Sequence, residues 1–170
     1  ILVSRDIGAH GATIFAAREG MDLETSLKSD CASLYPQVKA LIDSGIKITA
    51  LRDATRGGVS AVLNEWAKQS DICIEIEEEK IPICDEVKGI CEMLGFEAMS
   101  LANEGTFVLA IPNEDALKAL EVLQTFEYSK TASIIGKVTQ QYEQRVILNS
   151  QWGTKRFLDV PTGELLPRIC

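Results

Sequence analysis

Strands and helices interleave along this chain, and strands gather toward its end. That pattern predicts a layered α/β (α+β) fold. Two periodicities carry the prediction. Val59, Val62, Leu63 and Trp66 form a complete helical stripe. Ile72, Ile74 and Ile76 alternate with Cys73, Glu75 and Glu77, as in a half-exposed strand.

The elements follow in order. Ile1–Ser4 reads as a short strand, and Gly8-Ala9-His10-Gly11 opens a helix through Ala12, Ile14, Phe15 and Ala16. A second helix starts near Pro36, a residue tolerated in a first turn, carries Val38, Leu41 and Ile42, and ends at Gly45. Ile46–Leu51 alternates as a strand, and Arg52–Gly58 is a turn that feeds the Val59 helix. After the 71–77 strand comes a helix over Pro82–Leu94. Thr106–Ile111 is continuously apolar, a strand buried on both faces. Asn113 is placed to cap a helix with Ala116, Leu120 and Leu123. Ala132–Val138, Arg145–Leu148 and Lys155–Val160 read as strands, the later ones antiparallel. Pro161–Cys170, with two prolines and a glycine, reads as an extended tail with a reach of about 33 Å. The organisation is thus one domain over residues 1–160 and a tail over 161–170.

Composition narrows the function. The 170 residues are 46% hydrophobic and 25% charged, enough for one core without staples. Seventeen Lys and Arg stand against 25 Asp and Glu, a net charge of −8 without a basic stripe, which excludes ordinary nucleic-acid binding. Asp71–Ser100 holds nine acids and two lysines, a solvated face or an acidic docking patch. No apolar run approaches a membrane span, and no secretory leader is visible. The abrupt start at Ile1 suggests a segment of something larger.

The five cysteines show no CxxC, and a single histidine accompanies them, which argues against a zinc site. Cys84 and Cys91 share a helix face about 10 Å apart in rise, too far for a disulfide, and read as core residues. Cys31 falls in register with Leu34, Val38, Leu41 and Ile42. An odd count without a leader points to the cytoplasm. Cys170, the last residue, has no such packing role.

Four segments bear chemistry. Asp53-Ala54-Thr55-Arg56-Gly57-Gly58 lies where a strand hands over to a helix. Its glycines permit close backbone approach, the helix start favours an anion, and Arg56 adds a cation. Asp53 is placed to hold a metal or to orient Arg56. The plain alternative is a turn with an Asp–Arg pair. Asn103-Glu104-Gly105 sets a carboxylate before the buried strand, either a general base or an ordinary turn residue. His10 is a phosphate or substrate contact, or a packing residue. Pro167-Arg168-Ile169-Cys170 carries a free thiol, a modest nucleophile until a site activates it.

Together these segments resemble the C-terminal domain of the HypE family of hydrogenase expression/formation proteins, in the aminoimidazole-ribonucleotide-synthetase-like superfamily. The resemblance spans essentially the whole chain and is most specific at the terminal Pro-Arg-Ile-Cys. It implies a mixed-sheet α/β sandwich. It implies a carbamoyltransferase partner that loads Cys170, and an ATP-dependent dehydration of the carbamoyl group to a thiocyanate. The cyanide then passes to an iron-holding maturation complex for [NiFe]-hydrogenase. Glu104 would be the base; Asp53, Thr55, Arg56, Gly57, Gly58 and His10 would line the cleft. ATP and Mg2+ would bind mainly through an N-terminal domain absent from this sequence, in a homodimer, so this segment would fold alone without hydrolysing ATP. Two rivals stand beside this reading: another ATP-dependent enzyme of the superfamily, and a non-catalytic module presenting the tail thiol.

Overall fold

The structure is a computed structural model that describes residues 1–20 and 27–160. The tail over 161–170, Cys170 included, lies outside the described residues. The elements are β1 (Leu2–Val3), α1 (Ala9–Arg18), α2 (Tyr35–Asp43), β2 (Ala50–Asp53), α3 (Gly58–Gln69), β3 (Cys73–Glu77), α4 (Asp85–Leu94), β4 (Phe107–Ala110), α5 (Ala116–Gln124), β5 (Ser133–Ile134), β6 (Gly136–Thr139), β7 (Arg145–Asn149) and β8 (Lys155–Phe157).

Among the described residues the strands form two sheets of four. The first, in the order β2-β4-β1-β5, is antiparallel throughout, with Leu51 opposite Leu109 and Leu2 opposite both Leu109 and Ile134. The second, β6-β3-β7-β8, is mixed: β3 runs parallel to β7, while β6 and β8 are antiparallel to their neighbours. The fold is therefore layered α/β with a mixed sheet, as the sequence pattern and the resemblance implied.

One buried cluster joins the sheets. It takes Val3 and Val108 from the first, Ile74, Ile76, Val146 and Leu148 from the second, and Val59, Val62 and Leu63 from α3. A second cluster packs α2 and α5 on the first sheet through Leu41, Phe107, Leu109 and Leu123. A third packs α1 on α4 through Ala9, Ala12, Val87 and Ile90. Burial of each such aliphatic side chain contributes about 1.5–3 kcal/mol before the entropy of ordering is set against it.

Several sequence expectations are corrected. The strand expected at Ile46 begins at Ala50. Ile46 N–H bonds back to Leu41 O, and Lys47 N–H goes to Asp115 Oδ2 (3.0 Å), so this stretch is occupied elsewhere. The same contact explains α5. Asp115 precedes that helix without capping it, and Asn113 opens a 3-10 turn instead. β3 is not half-exposed: it lies between β6 and β7, and Cys73 through Ile76 are all buried. The single strand expected over 132–138 divides at Ile135, with β5 in one sheet and β6 in the other. β7 is antiparallel to β8 but parallel to β3. Cys31 is exposed in the segment before α2, not on a helical core face, and Ile42 is also exposed. Cys84 and Cys91 are free thiols; Cys91 is buried and Cys84 is half-buried.

Candidate functional site

Two helices begin on a left-handed glycine. Gly8 (φ 86°) precedes α1, and Gly57 (φ 73°) precedes α3. Other residues are strained at these angles. Neither helix has a side-chain cap or an acid in its first turn, whereas α4 opens with Asp85 and Glu86. The starts of α1 and α3 thus set no first-turn acid against the positive end of the helix dipole, an arrangement that suits an anion.

Gly58 also has a positive φ, 61°, and is buried. A Cβ there would lie 2.4 Å from the Met99 carbonyl oxygen and 2.5 Å from that of Leu101. The α3 start is therefore pressed against the chain that leads into Asn103. Gly11 makes the matching approach from α1, and its N–H donates to the Ala102 carbonyl at 3.0 Å.

Asn103 joins these pieces. Its side chain is fully buried. Its Oδ1 accepts the Gly8 N–H at 2.7 Å, and its Nδ2 donates to the carbonyls of Ala54 (2.9 Å) and Leu101 (3.0 Å). Its own N–H donates to Ala54 O at 3.1 Å. One amide thereby ties together the Gly8, Ala54 and Asn103 loops, three of the segments singled out in the sequence.

The residues around this junction are placed as follows. Asp53 ends β2 opposite Phe107 and is exposed; Thr55 is half-buried; Arg56 is exposed. The Asp53–Arg56 pair weighed from the sequence does not form, and neither side chain has an ion-pair partner among the described residues. Arg52 instead pairs with Glu65 of α3. Glu104 presents an exposed side chain on the loop before β4. His10 is half-buried, and its Nδ1 lies 2.9 Å from Ser29 Oγ.

Two residues that hold the candidate site together escaped the sequence reading. Asp30 is almost fully buried, and its carboxylate accepts the N–H groups of Glu104 (2.9 Å) and Gly105 (3.0 Å) and the Thr106 hydroxyl (2.9 Å). Ser29 beside it holds His10. Both lie more than 70 residues from the Glu104 loop in sequence, without a motif of their own; a signal exists only in Gly105, whose missing side chain hints at a close neighbour. Among the described residues, no cluster of three His, Cys, Asp or Glu side chains could hold a metal ion. A cleft of about 130 Å³ lies between Glu78, Ile81, Met99, Leu148 and Arg156 and is lined by none of the candidate site residues Asp53, Thr55, Arg56, Gly57, Gly58, His10 and Glu104.

Burial acts on the thiols. It pushes Cys91 up to about 11, with Glu92 adding to the effect, and raises Cys84 as well. Burial thus holds both thiols in the protonated, less reactive form more firmly than an exposed thiol. Among the described residues, no helix is long and apolar enough to cross a membrane.

Comparison with known proteins gives a consistent answer. The chain is 44% identical over 171 residues to carbamoyl dehydratase HypE of Escherichia coli K12, covering 100% of this chain and 50% of that protein. A crystal structure of the hydrogenase maturation protein HypE in complex with ATP superposes with a TM-score of 0.93 at 34% identity, over 99% of this chain and 52% of that one. A HypE chain in a HypE–HypF complex superposes at 0.89 with 42% identity, over 94% of this chain and 52% of that one. The chain spans about half the length of the curated relatives it matches. The family described as AIR synthase related protein, C-terminal domain, matches residues 1–149, and with the two-sheet fold and the glycine-opened helices converging on Asn103, the chain belongs to that family.

Proposed function

We propose that this chain is the C-terminal half of an ATP-dependent carbamoyl dehydratase of [NiFe]-hydrogenase maturation, in which Cys170 carries a carbamoyl group and then the cyano group made from it. The observation that carries the reading is the junction at Asn103, which brings two glycine-opened helix starts to the Glu104 loop in a chain with this likeness to HypE. The part given to Cys170 rests on the terminal Pro167-Arg168-Ile169-Cys170 of the sequence.

Converting a thiocarboxamide to a thiocyanate removes the amide oxygen and both protons on nitrogen, a net loss of one water from the adduct; with ATP the oxygen would depart in inorganic phosphate and the two protons would pass to bases. ATP, when bound, supplies the phosphoryl group that turns the amide oxygen into a leaving group. The fit of this half to a nucleotide is partial and specific. Arg56 has no ion-pair partner among the described residues, and the starts of α3 and α1 carry no acid in their first turn. These groups suit phosphate oxygens. Magnesium takes few protein ligands beside a nucleotide, and Asp53 is the carboxylate that the Asp53–Gly58 loop offers. Glu104 is the carboxylate we assign to take a proton from the amide nitrogen. His10, held by Ser29, is the contact we assign to phosphate or substrate. Water kept out of this space favours dehydration over hydrolysis.

The same reading gives the partners. A carbamoyltransferase loads Cys170, an iron-holding maturation complex receives the cyanide, and the full-length protein is a cytoplasmic homodimer. The test is intact-mass analysis of the full-length protein incubated with the carbamoyltransferase, carbamoyl phosphate and ATP. A carbamoyl adduct maps to Cys170 and then loses the mass of one water. Cys170→Ser removes both signals. An adduct retained in that variant, or dehydration without any adduct on the tail, overturns the reading.

A further inference from the structure

We propose that Asp30 is the positioning residue of the Glu104 loop, an inference that rests on the role assigned to Glu104 above. Asp30 is 3% exposed, and its carboxylate has no cationic partner among the described residues. A carboxylate is costly to bury, so it persists only where donors replace the lost water. Here three donors converge. Oδ1 accepts the Glu104 N–H, while Oδ2 accepts the Gly105 N–H and the Thr106 hydroxyl.

The two backbone donors belong to the peptide planes on either side of the Glu104 Cα. Each plane is rigid, so holding both fixes φ and ψ of Glu104 and the direction in which its side chain leaves the main chain. A single-oxygen acceptor could not reach two consecutive amides and a hydroxyl together. Gly105 completes the device. A Cβ at that position would sit 1.8 Å from the Asp30 carbonyl oxygen, so the close approach of the two segments requires glycine. The neighbouring Ser29 holds His10 at 2.9 Å. One two-residue step, Ser29–Asp30, therefore orients the imidazole and the carboxylate loop at once. Asp30 itself is turned inward to the backbone and acts through Glu104.

The test uses the full-length protein and two readouts. The first is amide hydrogen exchange at Glu104 and Gly105. Asp30→Asn leaves one oxygen for three donors, and exchange at these two amides rises at least about tenfold while α5 and β7 keep their protection. Thr106→Val, an isosteric loss of one donor, gives a smaller rise at the same place. The second readout is conversion of the preloaded carbamoyl adduct. Asp30→Asn slows it by about 10- to 100-fold with ATP affinity and adduct loading retained, and adds nothing in a Glu104→Gln background. Unchanged exchange at Glu104 and Gly105 overturns the proposal, as does an equal slowing in the Glu104→Gln background. If the unsubstituted protein converts no adduct, the dehydratase reading fails, and the exchange experiment alone decides whether Asp30 holds the loop.

Discussion

Asn103 and Asp30 do comparable work, yet only one was visible beforehand. Asn103 lies inside a motif, between a helix-bearing segment and a buried strand, and its neighbours Glu104 and Gly105 already marked a turn. Asp30 lies in a stretch without periodicity, and its partners are 74 to 76 residues away. Contacts of that separation are set by how the sheets stack, which a linear pattern does not encode. Charge pairing was equally opaque: Arg52, not Arg56, found a carboxylate, and it lies on another element. The cysteines give a residue-scale prediction. Cys91 is pushed from 9.0 up to about 11, so the folded protein holds that proton more tightly than the unfolded chain does. Its contribution to stability is complete below pH 9 and is lost as pH rises from 9 through 11. Alkylation at pH 7.5 should modify exposed Cys31 and spare Cys91, with protection of Cys91 failing as the pH approaches 11; equal labelling at pH 7.5 would show that the burial is wrong.

At the scale of elements, helices were the more legible class. The stripe from Val59 to Trp66 appears as α3, and Pro36 sits in the first turn of α2 as expected. Strand boundaries were less so, because a strand exists only where a partner pairs with it. Ile46–Thr49 has the right alternation, but part of its backbone is bound to α2 and Asp115. The division at Ile135 has no sequence mark beyond Gly136, where a Cβ would lie 2.1 Å from the Glu75 carbonyl oxygen. The start of α3 gives the element-scale prediction. Gly58→Ala places a methyl group against two carbonyl oxygens at a positive φ. It should cost about 2–4 kcal/mol in urea denaturation and displace the Met99–Leu101 chain. Gly89→Ala, with open space around its Cβ, is the control and should leave stability unchanged or slightly raised.

For the whole molecule, the shared cluster has a direct consequence for unfolding. Because the same buried residues belong to both sheets and to α3, neither sheet can lose its packing alone. Trp66 is packed against that cluster, while Trp152 is 83% exposed. Urea unfolding followed by Trp fluorescence and by far-ultraviolet circular dichroism should give coincident single transitions. Separate midpoints would mean that the sheets are independent units. The fold class and the helix order could be read from periodicity alone. The presence of two sheets could not, since it depends on one residue between β5 and β6.

That residue, Ile135, deserves its consequence. Its N–H bonds to Ile1 O, its carbonyl accepts the Glu77 N–H, and its side chain is fully buried, so the crossing is riveted from both sides. A crossing of this kind leaves no slack for one layer to slide over the other. The molecule behaves as an anvil: the two layers present one fixed surface to whatever packs against it.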